Sequence, residues 1–114
     1  MKTVLLAQIG KTASDGSVNY ITFEIPKGSW IVNAISTAAG NAQLGDSYLV
    51  SVEVLQGGPP WQVDILAQEP IYRTRSSIFL RPQILVTEQN LIRIKTERAS
   101  AENEHWAYVY LRGA

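Results

Sequence analysis

The sequence predicts an all-β chain, an antiparallel sandwich or barrel of about eight strands. Three observations carry that expectation. Short runs of alternating apolar and polar residues recur from end to end, the period a pleated strand imposes because successive side chains leave on opposite faces. Gly, Pro, Asn and Asp punctuate these runs roughly every ten residues, as turns between short strands require. No stretch sustains a helical apolar period over three turns.

The chain has 114 residues, enough for one domain that buries about two-thirds of its unfolded surface. A hydrophobic content of 46% with 18% charge fits a folded globular chain and argues against general disorder. Ten basic and ten acidic residues cancel, so no nucleic-acid partner is expected to be wrapped by phosphate neutralisation. There are no cysteines, which excludes disulfides, thiolate metal sites and cysteine nucleophiles. The opening MKTVLLAQIG superficially suggests a signal peptide, but its apolar run Val4 to Ala7 is too short for one. No later stretch is long enough for a spanning helix, so no membrane partner is expected.

In order, Thr3 to Ile9 reads as the first strand, ended by Gly10 and a polar turn with the signal Asp15-Gly16. Val18 to Ile25 alternates, with Ile21, Phe23 and Ile25 inward and Tyr20, Thr22 and Glu24 outward. Pro26-Lys27-Gly28 turns the chain into Ser29 to Thr37, whose apolar residues on both faces suggest a central strand. Tyr48 to Leu55 places Tyr48, Val50, Val52 and Val54 on one face and Ser51 and Glu53 on the other; Glu53, like Asp64, alternates with apolar neighbours as a solvent-facing residue would. Gly57 to Pro60 breaks the pattern, because proline lacks the amide a ladder needs. Trp61 to Ala67 resumes it. Ile71 to Ser77 suits an exposed edge strand or loop. Ser77 to Arg81 is a short strand that Pro82 confines to an edge or a strand end, and Ile84 to Val86 continues it after a bend. Leu91 to Thr96 points Ile92 and Ile94 inward, Arg93 and Lys95 outward.

The last strand, His105 to Arg112, alternates strictly: Trp106, Tyr108 and Tyr110 on one face, Ala107, Val109 and Leu111 on the other. The aliphatic face suits a core. The ring face could be core, a binding platform or a subunit contact, and the contact is favoured since Trp and Tyr bury large areas while their polar tips stay satisfied. With apolar residues on both faces of one strand, the chain has more apolar surface than a single core readily consumes. A second candidate surface is the stretch Ile71 to Arg81, which carries Tyr72, Arg73, Arg75 and Arg81. Arginine forms bidentate ion pairs and stacks on rings, both useful between subunits.

The catalytic inventory is thin. The one histidine, His105, adjoins Glu104, but neighbours in a strand point to opposite faces, so the two do not form an acid–base pair. Glu102, Glu104 and His105 show no metal-ligand spacing, and Gly57-Gly58 leads into prolines instead of a helix N-terminus that could cradle phosphate. No catalytic residue, metal or cofactor is expected. Exposed Trp and Tyr on a flat sandwich could alternatively stack on carbohydrate, making a binding or receptor-recognition module.

The strand-turn-strand VNYITFEIPKGSWIVNAIS, the terminal pair NLIRIKTE and EHWAYVYLRGA, and the compact length give the chain a resemblance to small jelly-roll virion proteins of tailed bacteriophages, the capsid decoration or cement type. The resemblance implies a jelly-roll-like sandwich without enzymatic activity. It implies a homo-oligomer, a trimer in many such proteins, seated on the major capsid protein and reinforcing the shell against internal pressure. It further implies location on the capsid surface after synthesis in the host cytoplasm.

Overall fold

Eight strands form where alternation is longest: β1 (Thr3–Lys11), β2 (Asn19–Glu24), β3 (Ser29–Ala39), β4 (Tyr48–Gln56), β5 (Gln62–Ile71), β6 (Arg75–Thr87), β7 (Leu91–Glu97) and β8 (Glu104–Gly113). The computed structural model describes residues 2–12, 15, 17–39, 47–71, 75–100, 102 and 104–114; at 33, 34, 36–39, 71, 75–77 and 79–82 it describes the backbone alone. The strands make two four-stranded antiparallel sheets, ordered β1-β8-β3-β6 and β2-β7-β4-β5. Every connection except β4 to β5 passes from one sheet to the other. That alternation is a jelly roll, in which two interlocked sheets share one core.

The core is built from the inward phase of each strand. Ile21 and Phe23 of β2, Val50, Val52 and Val54 of β4, Ile92 and Ile94 of β7, and Ala107, Val109 and Leu111 of β8 are buried together. The expected inward set on β2 and β7 is therefore the observed one, and on β8 the aliphatic face is the one that is buried. β3 is central, between β8 and β6. Against β8, Val32 pairs with Leu111 and Ala34 with Tyr110, so Asn33 is an extra residue. This bulge shifts the alternation by one. Trp30 and Val32 before it and Ile35 after it all reach the core.

β6 is a single long edge strand where the sequence suggests pieces. Its register to β3 jumps from Ile84 opposite Val32 to Phe79 opposite Ala34. Pro82 lies inside that jump, where a missing amide costs no ladder bond. The β4–β5 hairpin turns at Gly57 and Gly58, with φ of 85° and 67°, a left-handed pair that only glycine adopts without strain.

One end of the sandwich is closely tied. The amide of Gly28 donates to Glu88 Oε2 at 3.0 Å, joining the β2–β3 turn to the β6–β7 turn. The amides of Glu88 itself and of Gly28 hold that carboxyl below the usual glutamate range. Trp30 Nε1 donates to the Pro26 carbonyl at 2.9 Å. The chain ends join there too, with the amides of Gly113 and Ala114 donating to the carbonyls of Lys2 (2.8 Å) and Ser29 (3.1 Å).

Candidate functional site

The outward phase of β8 lands on the outer face of the β1-β8-β3-β6 sheet. Ala107, Val109 and Leu111 are fully buried, whereas Trp106 is 43% and Tyr110 38% exposed and Tyr108 is half-buried. The rings of Trp106 and Tyr108 stack, 6.4 Å between centroids at 25°. Cross-strand register adds neighbours from β1: Leu5 opposite Tyr110, Ala7 opposite Tyr108 and Ile9 opposite Trp106. Leu5 and Ile9 are 53% and 52% exposed. On the other side of β8 the same rows continue through β3, where register places Ala38, Ser36 and Ala34 opposite Trp106, Tyr108 and Tyr110. A further row holds Thr3, Arg112, Ile31 and Leu85.

With full areas of about 200 Å2 per large side chain, Leu5, Ile9, Trp106 and Tyr110 together expose about 400 Å2 of mostly apolar surface. That is a functional-sized patch for a small monomer. Covering it completely would contribute about 10 kcal/mol at about 25 cal/mol per Å2. Association costs roughly 4–15 kcal/mol in lost freedom. A partner must therefore cover the whole face, and no single ring suffices.

The opposite outer face, on β2-β7-β4-β5, has different chemistry. Register aligns Thr22, Arg93, Glu53 and Ile65 in one row and Tyr20, Lys95, Ser51 and Gln68 in the next. Arg93 Nε donates to Glu53 Oε1 at 2.8 Å, and its guanidinium lies over the Tyr20 ring, 4.5 Å from the centroid. Gln68 Nε2 donates to Ser51 Oγ at 3.0 Å. These partners bury Ser51 and Glu53 to 1% and 6% exposure. The expectation that Glu53 faces open solvent is thus corrected, and Ser51 on the same face is covered as well. They do point away from the core, but side chains from both flanking strands cover them.

His105 lies inward at the end of β8, 1% exposed, while Glu104 is exposed. The expected separation of the two holds. Neither ring nitrogen of His105 has a hydrogen-bond partner, and its nearest ring neighbour is Tyr48 at 5.9 Å. Burial pushes its pKa below the usual value near 6.5. A catalytic histidine needs a path to substrate, and this one faces Tyr48 and the underside of Gly10. Among the described residues, no three His, Asp or Glu gather where a metal ion could be held, and no helix is long and apolar enough to cross a membrane.

Of the residues expected to form a contact surface, Trp106, Tyr108 and Tyr110 come together as read. Tyr72 and Arg73 lie outside the described residues. Arg75 and Arg81 belong to the β6 backbone: Arg75 pairs with Ala38 in the Trp106 row, and Arg81 sits in the register jump. Sequence reasoning passed over Leu5, Ile9 and Leu85. A signal for the first two was available, because Leu5, Ala7 and Ile9 alternate with the equally apolar Val4 and Leu6, giving apolar residues in both phases as in the last strand.

A groove of about 520 Å3 runs beside β1 and β2, lined by Leu5 to Gln8 and by residues 22–24 with Leu91. Within it Gln8 Nε2 donates to the Thr22 carbonyl at 2.8 Å, linking the margins of the two sheets. Compared with known proteins, the chain matches no family model, and no curated protein matches it.

Proposed function

We propose that this protein is a non-enzymatic structural component that works by contact, seating the outer face of β1-β8-β3-β6 on another protein surface. One observation carries the reading: Leu5, Ile9, Trp106, Tyr110 and Leu85 stand exposed on the outer side of one sheet, while at the centre of the other sheet's outer side Arg93 pairs with Glu53 and lies over Tyr20. The specific form of the proposal is capsid decoration, with the major capsid protein and further copies of this chain as partners on a virion surface. A jelly roll with a flat apolar face suits that task, since shell reinforcement asks for buried area and not for a pocket.

Carbohydrate recognition has less support. Sugars need hydrogen-bonding groups around the stacking ring, and Leu5, Ala7 and Ile9 beside the rings offer none from their side chains. The test is cosedimentation of purified protein with capsid shells stripped of it. Binding by the natural chain, lost in Trp106→Lys/Tyr110→Lys while circular dichroism and melting stay unchanged, is the expected result. Undiminished binding by that variant, or no binding by the natural chain, would overturn the decoration reading.

A further inference from the structure

The four sheet margins differ in their protection. β5 and β6 are the edge strands on one side, and each carries a proline, Pro70 and Pro82. Proline at an edge blocks the addition of another strand. β1 and β2 are the edge strands on the other side and carry none. On β2, the Thr22 carbonyl is already taken by Gln8. β1 has no such cover. Its nine residues, TVLLAQIGK, bear one charge, Lys11, at the extreme end.

The direction of its backbone groups follows from one hydrogen bond. The Lys2 carbonyl accepts from Gly113, so it points toward β8. Groups alternate along an antiparallel strand, which turns Thr3, Leu5, Ala7, Ile9 and Lys11 toward the free edge. No described residue hydrogen-bonds these five amides and carbonyls. The same odd-numbered residues put their side chains on the apolar outer face.

We propose that a second copy of this chain adds its β1 to this edge, antiparallel across a twofold axis through Ala7, fusing two four-stranded sheets into one of eight. The strand is self-complementary about that point. Ala7 would face Ala7 of the second copy, Leu5 would face its Ile9, and Thr3 its Lys11. Any other centre shortens the ladder, because Ala7 is the midpoint of Thr3–Lys11. The pairing also makes the apolar face continuous: the row Tyr110–Leu5 would run directly into Ile9–Trp106 of the second copy. The groove beside Leu5 to Gln8 leaves the middle of the edge open to the incoming strand. A twofold pair replaces the threefold assembly implied by the resemblance. It concerns the strand edge and stands independently of what covers the face.

The chain has no cysteine, so single cysteines report register cleanly. Paired residues of this kind lie about 5.5 Å apart at Cα, within disulfide reach. Under mild oxidation Ala7→Cys should cross-link to itself, and Leu5→Cys should cross-link efficiently to Ile9→Cys but poorly to itself. In light scattering the natural chain should have the mass of a dimer. Ala7→Pro should be monomeric with an unchanged melt, because that amide serves only the free edge, and Trp106→Lys should remain dimeric. A monomeric natural chain would overturn the proposal. So would a dimer that survives Ala7→Pro with Ala7→Cys failing to cross-link. If Trp106→Lys is monomeric and Ala7→Pro dimeric, the face pairs the copies and the edge inference is lost while the contact reading stands.

Discussion

The two outer faces of the sandwich use the same strand geometry to opposite ends. On β2-β7-β4-β5, Arg93 lies between Glu53 and Tyr20 and satisfies both, so a tyrosine that is 52% exposed is matched by a cation within its own sheet. On β1-β8-β3-β6, Trp106 and Tyr108 stack on each other, beside Ile9 and Ala7 of β1. The centre of the first face is paired within the isolated chain. The second reaches comparable satisfaction only when something covers it. An exposed aromatic is therefore informative only alongside its row, and β8 matters because its rings adjoin Leu5, Ala7 and Ile9 on β1.

The largest expected effect falls on the polar face. Arg93→Ala leaves the 6%-exposed Glu53 without its cation, and an orphaned, largely buried carboxylate costs about 3 kcal/mol. Chemical denaturation of the variant measures it. Replacing Glu53 and Arg93 together with leucines should cost much less, because no unpaired charge remains. If Arg93→Ala proves neutral, the polar face is held by strand pairing alone and the contrast between the faces weakens.

Next comes Trp106→Lys on the apolar face. Covering the exposed part of that ring is worth about 2.5 kcal/mol, so binding to stripped shells should weaken about a hundredfold in a titration. The isolated chain should melt within about 0.5 kcal/mol of the natural one, as surface changes generally do. A comparable loss of fold stability would instead show the ring to be structural.

A third effect separates core from faces. His105 is buried without a partner, and its pKa is pushed down in the folded chain. The unfolded chain then binds the extra proton more readily, so stability is fully present above about pH 6.5 and declines as pH falls below it. Thermal melts at about pH 7.5 and about pH 5.5 should show the decline, and His105→Leu should flatten its histidine component. The smallest effect is expected at Ile65. It is 61% exposed but sits on the edge of the polar face, so Ile65→Thr should alter neither shell binding nor stability by more than about 0.5 kcal/mol.

Much of this was legible in the sequence, because alternation is a local property. The inward sets of β2 and β7 follow from period two, as does the separation of Trp106, Tyr108 and Tyr110 from Ala107, Val109 and Leu111; which of those two faces is buried needed the neighbouring strands. Residues whose surroundings come from distant strands were not legible. Glu53 reads as solvent-facing along its own strand and is buried by Arg93, 40 positions away. The bulge at Asn33 has no glycine to announce it, yet it turns Ile35 inward. Leu5 and Ile9 gained meaning only when β1 paired with β8 instead of with the strand that follows it in sequence.

Hydroxyl-radical footprinting tests the contrast between the faces most directly, because Tyr20 supplies an internal control on the polar side. The protein would be labelled seated on capsid shells and, separately, free in solution. Seating on the shell should protect Trp106 and Tyr110 and leave Tyr20 as reactive as in the free chain. Equal reactivity of Trp106 and Tyr110 in both samples, or protection of Tyr20 in their place, would contradict the assignment of the β1-β8-β3-β6 face as the contact surface.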